Sequence, residues 1–96
     1  MSDEYYWEPN KAARVLAERG ISLEEVKTVF ADPFVEFAPD FAHSIVEARF
    51  TAIGTSAQSR LLVVTFTERG QTVRIITARE ATPKERRYYE FGNTFD

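Results

Sequence analysis

The stretch Leu61-Leu62-Val63-Val64-Thr65-Phe66-Thr67-Glu68-Arg69-Gly70-Gln71-Thr72-Val73-Arg74-Ile75-Ile76-Thr77-Ala78-Arg79 decides the fold. From Leu61 to Thr67 both faces of an extended chain are apolar or β-branched, the pattern of a central strand covered on both sides. Glu68-Arg69-Gly70-Gln71 makes a tight turn, and Thr72 to Arg79 returns as a second strand, so the stretch predicts a hairpin. Behind it, Thr82-Pro83-Lys84-Glu85 reads as N-cap, N1 proline and capping-box glutamate of a last helix running to about Phe91. The tail Gly92 to Asp96 is expected to be loose.

Upstream, Trp7-Glu8-Pro9-Asn10 opens a helix to about Arg19, stopped by Gly20, with Ala12, Ala13, Val15 and Leu16 as its buried stripe. Ser22 caps a second helix, Glu25 stands where a capping box returns its hydrogen bond, and Val26, Val29 and Phe30 supply the apolar spacing up to Asp32-Pro33. From Phe34 the period becomes two. A short strand covers about Phe34 to Ala38, Pro39-Asp40 turns the chain, and a longer strand covers Ile45 to Ile53. In the longer strand Val46, Ala48, Phe50 and Ala52 share a core face, and Glu47, Arg49 and Thr51 share the other. Gly54 to Ser59 reads as a polar loop. The fold class is therefore α+β: two N-terminal helices, a four-stranded mostly antiparallel sheet and one C-terminal helix, in a single domain over residues 1–96.

Composition narrows the function. Of 96 residues, 44% are hydrophobic and 28% charged, which excludes a disordered tail. The longest apolar run, Leu61 to Val64, is far short of the roughly 20 residues of a membrane helix, so no membrane role is expected. The acidic start Met1-Ser2-Asp3-Glu4 lacks the features of a secretory signal, which makes the cytoplasm the expected location. With no cysteine and one histidine, thiolate chemistry and a histidine-rich metal centre are excluded, and neither a metal nor another cofactor is expected.

The net charge of −3 conceals an asymmetry. Residues 1–48 hold four basic and ten acidic side chains, whereas residues 49–87 hold eight basic and three acidic ones, and seven of those eight cations are arginine. Arginine grips phosphate bidentately, so the split is consistent with one basic face. It is equally consistent with a solvated surface laced by ion pairs.

Several spaced motifs resemble the BrnT family of toxins. Trp7-Glu8-Pro9-Asn10-Lys11-Ala12 matches its opening, and Gly20-Ile21-Ser22-Leu23-Glu24-Glu25 matches the start of its second helix. His43-Ser44-Ile45-Val46-Glu47-Ala48-Arg49 and Ile53-Gly54 match its first long strand. The most specific part is Val73-Arg74-Ile75-Ile76-Thr77-Ala78-Arg79 with Ala81-Thr82 and Glu85-Arg86-Arg87-Tyr88 behind it. The sequence departs from the family where an asparagine and a lysine-histidine pair are usual, carrying Val15, Glu18 and Arg19 instead. The resemblance implies a RelE-like ribonuclease fold and a ribonuclease toxin of a type II toxin–antitoxin module that cleaves RNA without a metal and blocks translation. It also implies a BrnA-like antitoxin with a ribbon-helix-helix domain, so that DNA is contacted only through the antitoxin. The alternative is a degenerate, non-catalytic member that serves as an antitoxin-binding and co-repressor module.

A metal-free route uses the 2′-hydroxyl of RNA as nucleophile, so the protein must supply a proton acceptor, cations for the phosphorane and a donor for the leaving oxygen. Arg49, Arg74 and Arg79 are the candidates for phosphate stabilisation, on strand positions that match the family motifs. Alternation puts Arg74 and Arg79 on opposite faces unless a bulge intervenes, and Arg79 has the alternative of pinning the sheet through a carboxylate such as Glu47. For proton transfer the candidates are His43, which otherwise is a loop residue or a cap for Ser44, and Glu47, which otherwise pairs with Arg49 or Arg79. Lys11, Lys84, Arg86, Arg87 and Tyr88 are the candidate RNA-binding residues, with solvated cations and a core aromatic as the alternatives; Tyr89 carries the same ambiguity.

Overall fold

The computed structural model describes residues 4–40 and 47–92. In chain order the elements are β1 (Glu4–Trp7), α1 (Pro9–Arg19), α2 (Leu23–Phe30), β2 (Glu36–Pro39), β3 (Phe50–Thr55), β4 (Leu61–Arg69), β5 (Thr72–Glu80) and α3 (Pro83–Gly92). The strands form one five-stranded sheet in the order β1-β5-β4-β3-β2, with β1 parallel to β5 and the other neighbours antiparallel. The sheet is thus mixed and has one strand more than the four expected. The extra strand, Glu4-Tyr5-Tyr6-Trp7, is an aromatic run too short to show a period, and it ends where the helix signals begin.

The hairpin reading holds. β4 is the central strand, with Leu61 to Val64, Phe66 and Thr67 buried. One face of the sheet packs against α1 and α2 through a core that includes Trp7, Val26, Val29, Leu62, Val64, Phe66, Val73, Ile75 and Ala78. At roughly 1.5–3 kcal/mol per fully buried aliphatic side chain, this layer dominates the stability of the domain. Gly54 of β3 lies directly under α2, where an added Cβ would stand 3.0 Å from both Cγ1 and the carbonyl oxygen of Val29. Only glycine allows that approach.

Helix α1 begins at Pro9, its N-cap Glu8 accepting from the backbone N–H groups of Asn10 and Lys11 at 3.1 and 3.0 Å. It stops at Gly20, which takes φ of 67° in the left-handed region. Its buried stripe is narrower than expected: Val15 is buried and Ala12 half-buried, but Ala13 is exposed and Leu16 is 51% exposed. The helix lies along β5 at the margin of the sheet, so one line of side chains suffices to cover it.

At α2 the Ser22 hydroxyl accepts from the Glu25 N–H at 3.1 Å, as a cap should. The carboxylate of Glu25 turns elsewhere, accepting from Ser56 Oγ at 2.7 Å and Arg60 Nε at 2.9 Å and forming a second, short bond with Arg60 Nη2. Arg60 also donates to the Gly20 carbonyl at 2.8 Å, so a partly buried ion pair and this bond tie α2 and the helix linker to the β3–β4 loop. The long strand is shorter than expected: β3 starts at Phe50, Ala48 is exposed, and Gly54 and Thr55 belong to the strand, not to the loop. Ile45 and Val46 lie outside the described residues, as does the tail 93–96.

Helix α3 is capped as expected, reciprocally: Glu85 N–H donates to Thr82 Oγ1 at 3.2 Å and Thr82 N–H to Glu85 Oε1 at 2.9 Å. It lies on the sheet face opposite α1 and α2, where Tyr89 packs against Ile53, Leu61 and Val63. Among the described residues no helix is long and apolar enough to cross a membrane.

Candidate active site

Strand β5 settles the question of faces. Thr65 pairs with Thr77, and the next residue of β4, Phe66, pairs with Ile75, so Ile76 has no partner and β5 bulges there. Val73 and Ile75 point into the helix-covered core, and after the bulge so does Ala78. The parity shift turns Arg74 and Arg79, five positions apart, onto the same face. That face is the one opposite α1 and α2.

The register lays out the rest of it. Tyr6, Arg74 and Thr67 form one row across β1, β5 and β4; Thr77, Thr65, Thr51 and Ala38 form the next; Arg79, Val63, Ile53 and Glu36 form a third. Arg49, just before β3, joins this face. A concavity of about 460 Å³ gathers Arg49, Arg79, Asp40 and Glu85 around a floor of Thr51, Thr65 and Thr77. The Thr51 hydroxyl donates to the Ala38 carbonyl at 3.4 Å, and the hydroxyls of Thr65 and Thr77, between the guanidinium groups, are donors suited to phosphate oxygens.

Arg79 is held there. Its Nη1 and Nη2 donate to the two oxygens of Glu85 at 2.7 and 2.8 Å, a bidentate pair. The sequence offered a carboxylate such as Glu47 only as an alternative partner; the carboxylate found is Glu85. Arg79 holds the carboxyl of Glu85 well below its ordinary range, at about 2, with the Thr82 N–H assisting. Glu47 instead accepts from Arg69 at 3.1 and 3.2 Å, and Arg69 pulls its pKa down, which weakens it as a base. It does not line the concavity.

Arg74 shares the face but not the concavity: its guanidinium carbon lies 5.1 Å from the ring centroid of Tyr6, a cation–π contact. On the order of 15 Å of strand separates it from Arg79. Lys84, Arg86, Arg87 and Tyr88 are exposed on α3, and Lys11 is exposed on α1. Tyr89 is anchored, its hydroxyl donating to Asp32 Oδ2 at 2.5 Å. Burial, with the Asp32 carboxylate second, raises its pKa. His43 lies outside the described residues.

The residues at the usual asparagine and histidine positions have structural work here. Val15 is in the core, and Arg19 Nη1 donates to the Ala78 carbonyl at 2.9 Å. Sequence reading missed Asp40 and the three threonines, whose only signal was their parity with Arg49 and Arg79. Among the described residues no group of three histidine, cysteine, aspartate or glutamate side chains is arranged to hold a metal.

A family model described as "Ribonuclease toxin, BrnT, of type II toxin-antitoxin system" matches residues 7–85. The chain belongs to the BrnT family. Its fold is similar to that of the Brucella abortus ribonuclease toxin BrnT, known from a crystal structure at 1.1 Å resolution. The TM-score is 0.65 at 19% identity, over 84% of this chain and 99% of that one. No curated protein matches the chain significantly. Membership of the BrnT family makes this a ribonuclease toxin fold of a type II toxin–antitoxin system, for which an antitoxin is the implied partner. The match ends at Glu85, so it takes in both Arg79 and the carboxylate that holds it.

Proposed function

We propose that this BrnT-family chain is an endoribonuclease that cleaves RNA without a metal ion, blocks translation in the cytoplasm and is neutralised by a BrnA-like antitoxin. The observation that carries the reading is the Ile76 bulge, which turns Arg79 onto the face of Arg49 and into one concavity with it. In the reaction the 2′-oxygen of the substrate attacks the adjacent phosphorus, and the bond from phosphorus to the 5′-oxygen breaks. The 2′ proton passes to an acceptor, the leaving 5′-oxygen gains a proton, and a 2′,3′-cyclic phosphate remains. Arg49 and Arg79 stabilise the added charge on phosphorus, with Thr65 and Thr77 as neutral donors. Arg74 and Tyr6 bind a flanking nucleotide, and Lys84, Arg86, Arg87 and Tyr88 of α3 border the RNA. The proton acceptor is Asp40, which lines the concavity, or His43; Glu47, bound to Arg69, is the weaker candidate.

The RelE-like resemblance is part of this reading, as is the antitoxin's ribbon-helix-helix domain, which leaves DNA binding to the antitoxin. Neutralisation requires the cations to be covered, so an acidic or apolar antitoxin segment packs over Arg49 and Arg79. Expressed alone, the chain arrests growth and cleaves RNA in the presence of EDTA. Arg49→Ala and Arg79→Ala each lower cleavage about a hundredfold, the loss typical of one group stabilising a developing anion. Absence of arrest at high expression would sink the proposal.

A second reading, a non-catalytic antitoxin-binding and co-repressor module, draws on the bidentate closure of Arg79 by Glu85. Under it, Arg79→Ala leaves growth unchanged while antitoxin binding persists.

A further inference from the structure

The geometry points to a second binding track for the phosphodiester backbone of single-stranded RNA, in the groove between α1 and the free edge of β5. It rests on the ribonuclease reading above and extends the substrate beyond the scissile step. β1 pairs with β5 only as far as Trp7 opposite Ile75, so from Ile76 onward that edge of β5 has no strand beside it. Helix α1 fills the place, leaving a groove of about 300 Å³ lined by Lys11, Arg14, Glu18 and Arg19 from the helix and by Ile76 and Thr77 from the strand.

Ile76 and Thr77 also line the main concavity, so the bulge is a saddle between the two depressions. A strand of RNA whose scissile phosphate lies between Arg49 and Arg79 meets the groove on crossing it. Three cations face one carboxylate there, in a chain whose net charge is −3. Arg19 is spent on the Ala78 carbonyl, but neither Lys11 nor Arg14 has an ion-pair partner among the described residues. The nearby carboxylate of Glu8 accepts from the first N–H groups of its own helix and attracts Lys11 without closing an ion pair on it. Lys11 and Arg14 stand one turn apart on α1 and present two successive positive charges to a polyanion. The continuity of this groove with the catalytic concavity favours RNA over an acidic protein segment as its occupant.

The test compares uncleavable 2′-O-methyl RNAs of three and ten nucleotides, by fluorescence anisotropy at about 0.15 M salt, where charges beyond about 8 Å are screened. In the wild type the longer RNA binds at least about tenfold tighter, and in the Lys11→Glu/Arg14→Glu double variant that gain falls to within about threefold. Both side chains are exposed, and an unchanged thermal melt verifies the fold; Lys11→Ala/Arg14→Ala gives an intermediate gain. A gain that survives in the double variant overturns the inference while leaving the ribonuclease reading intact. So does a variant whose only defect is weaker binding of an acidic antitoxin. If the wild type binds neither RNA, the ribonuclease reading itself has failed.

Discussion

Glu85 serves two groups with one carboxylate, closing the capping box of α3 through Thr82 and holding both terminal nitrogens of Arg79. Glutamine preserves the cap and removes the charge, so Glu85→Gln separates the two roles. It is expected to cost about 1–2 kcal/mol, discounted because Arg79 is 43% exposed, and thermal melting measures this. The same variant frees Arg79 and tightens RNA binding; unaltered affinity would show that Arg79 does not meet RNA. The cap was legible in the sequence because its spacing is local. The ion pair was not, because strand alternation says nothing of where the chain goes after Glu80, and Glu47 looked equally available. The common face of Arg74 and Arg79 was legible only as a condition, since no residue pattern in Val73 to Ala78 announces where an extra residue sits.

Helices and strands are tied together here by a few polar clasps over an apolar layer. Arg60→Ala leaves the Glu25 carboxylate, 3% exposed, with Ser56 as its remaining partner and an uncompensated charge. About 2–4 kcal/mol of destabilisation is expected in a denaturant titration, on the low side for a buried pair because Arg60 is itself 30% exposed. Gly54→Ala presses a methyl group onto the backbone of Val29, where α2 cannot retreat without opening the core beneath it. Its cost is about 1–3 kcal/mol by the same measurement. The central hairpin and the two flanking helix caps were readable because period and capping chemistry agreed. β1 escaped because four residues cannot establish a period, and its pairing with β5 joins positions nearly seventy residues apart.

For the molecule as a whole, the carboxylates that clasp it set its response to acid. Arg60 lowers the pKa of Glu25, Arg79 lowers that of Glu85 to about 2, and at Asp32 burial opposes ionisation but is outweighed by bonds from Thr55, Tyr89 and Phe34. A carboxyl whose folded pKa lies below its unfolded value stabilises fully above the unfolded value and ceases to do so as pH falls through the folded one. The melting temperature should therefore be level from about pH 5 to about 9, decline from about 4.5 toward 2, and fall again above about 10, where the raised pKa of Tyr89 makes its ionisation costly to the fold. A decline beginning near neutrality would mean that other groups dominate. The bulge at Ile76 carries a last consequence, a genetic one. Deleting that residue would send Arg79 toward the core and Ala78 toward solvent, so a one-codon loss in β5 is expected to disrupt the proposed site and the core together. Under the proposed function, cells escaping expression of this chain should accumulate substitutions of Arg49 or Arg79 that leave a folded, antitoxin-binding protein, whereas in-frame deletions in β5 should abolish the protein altogether.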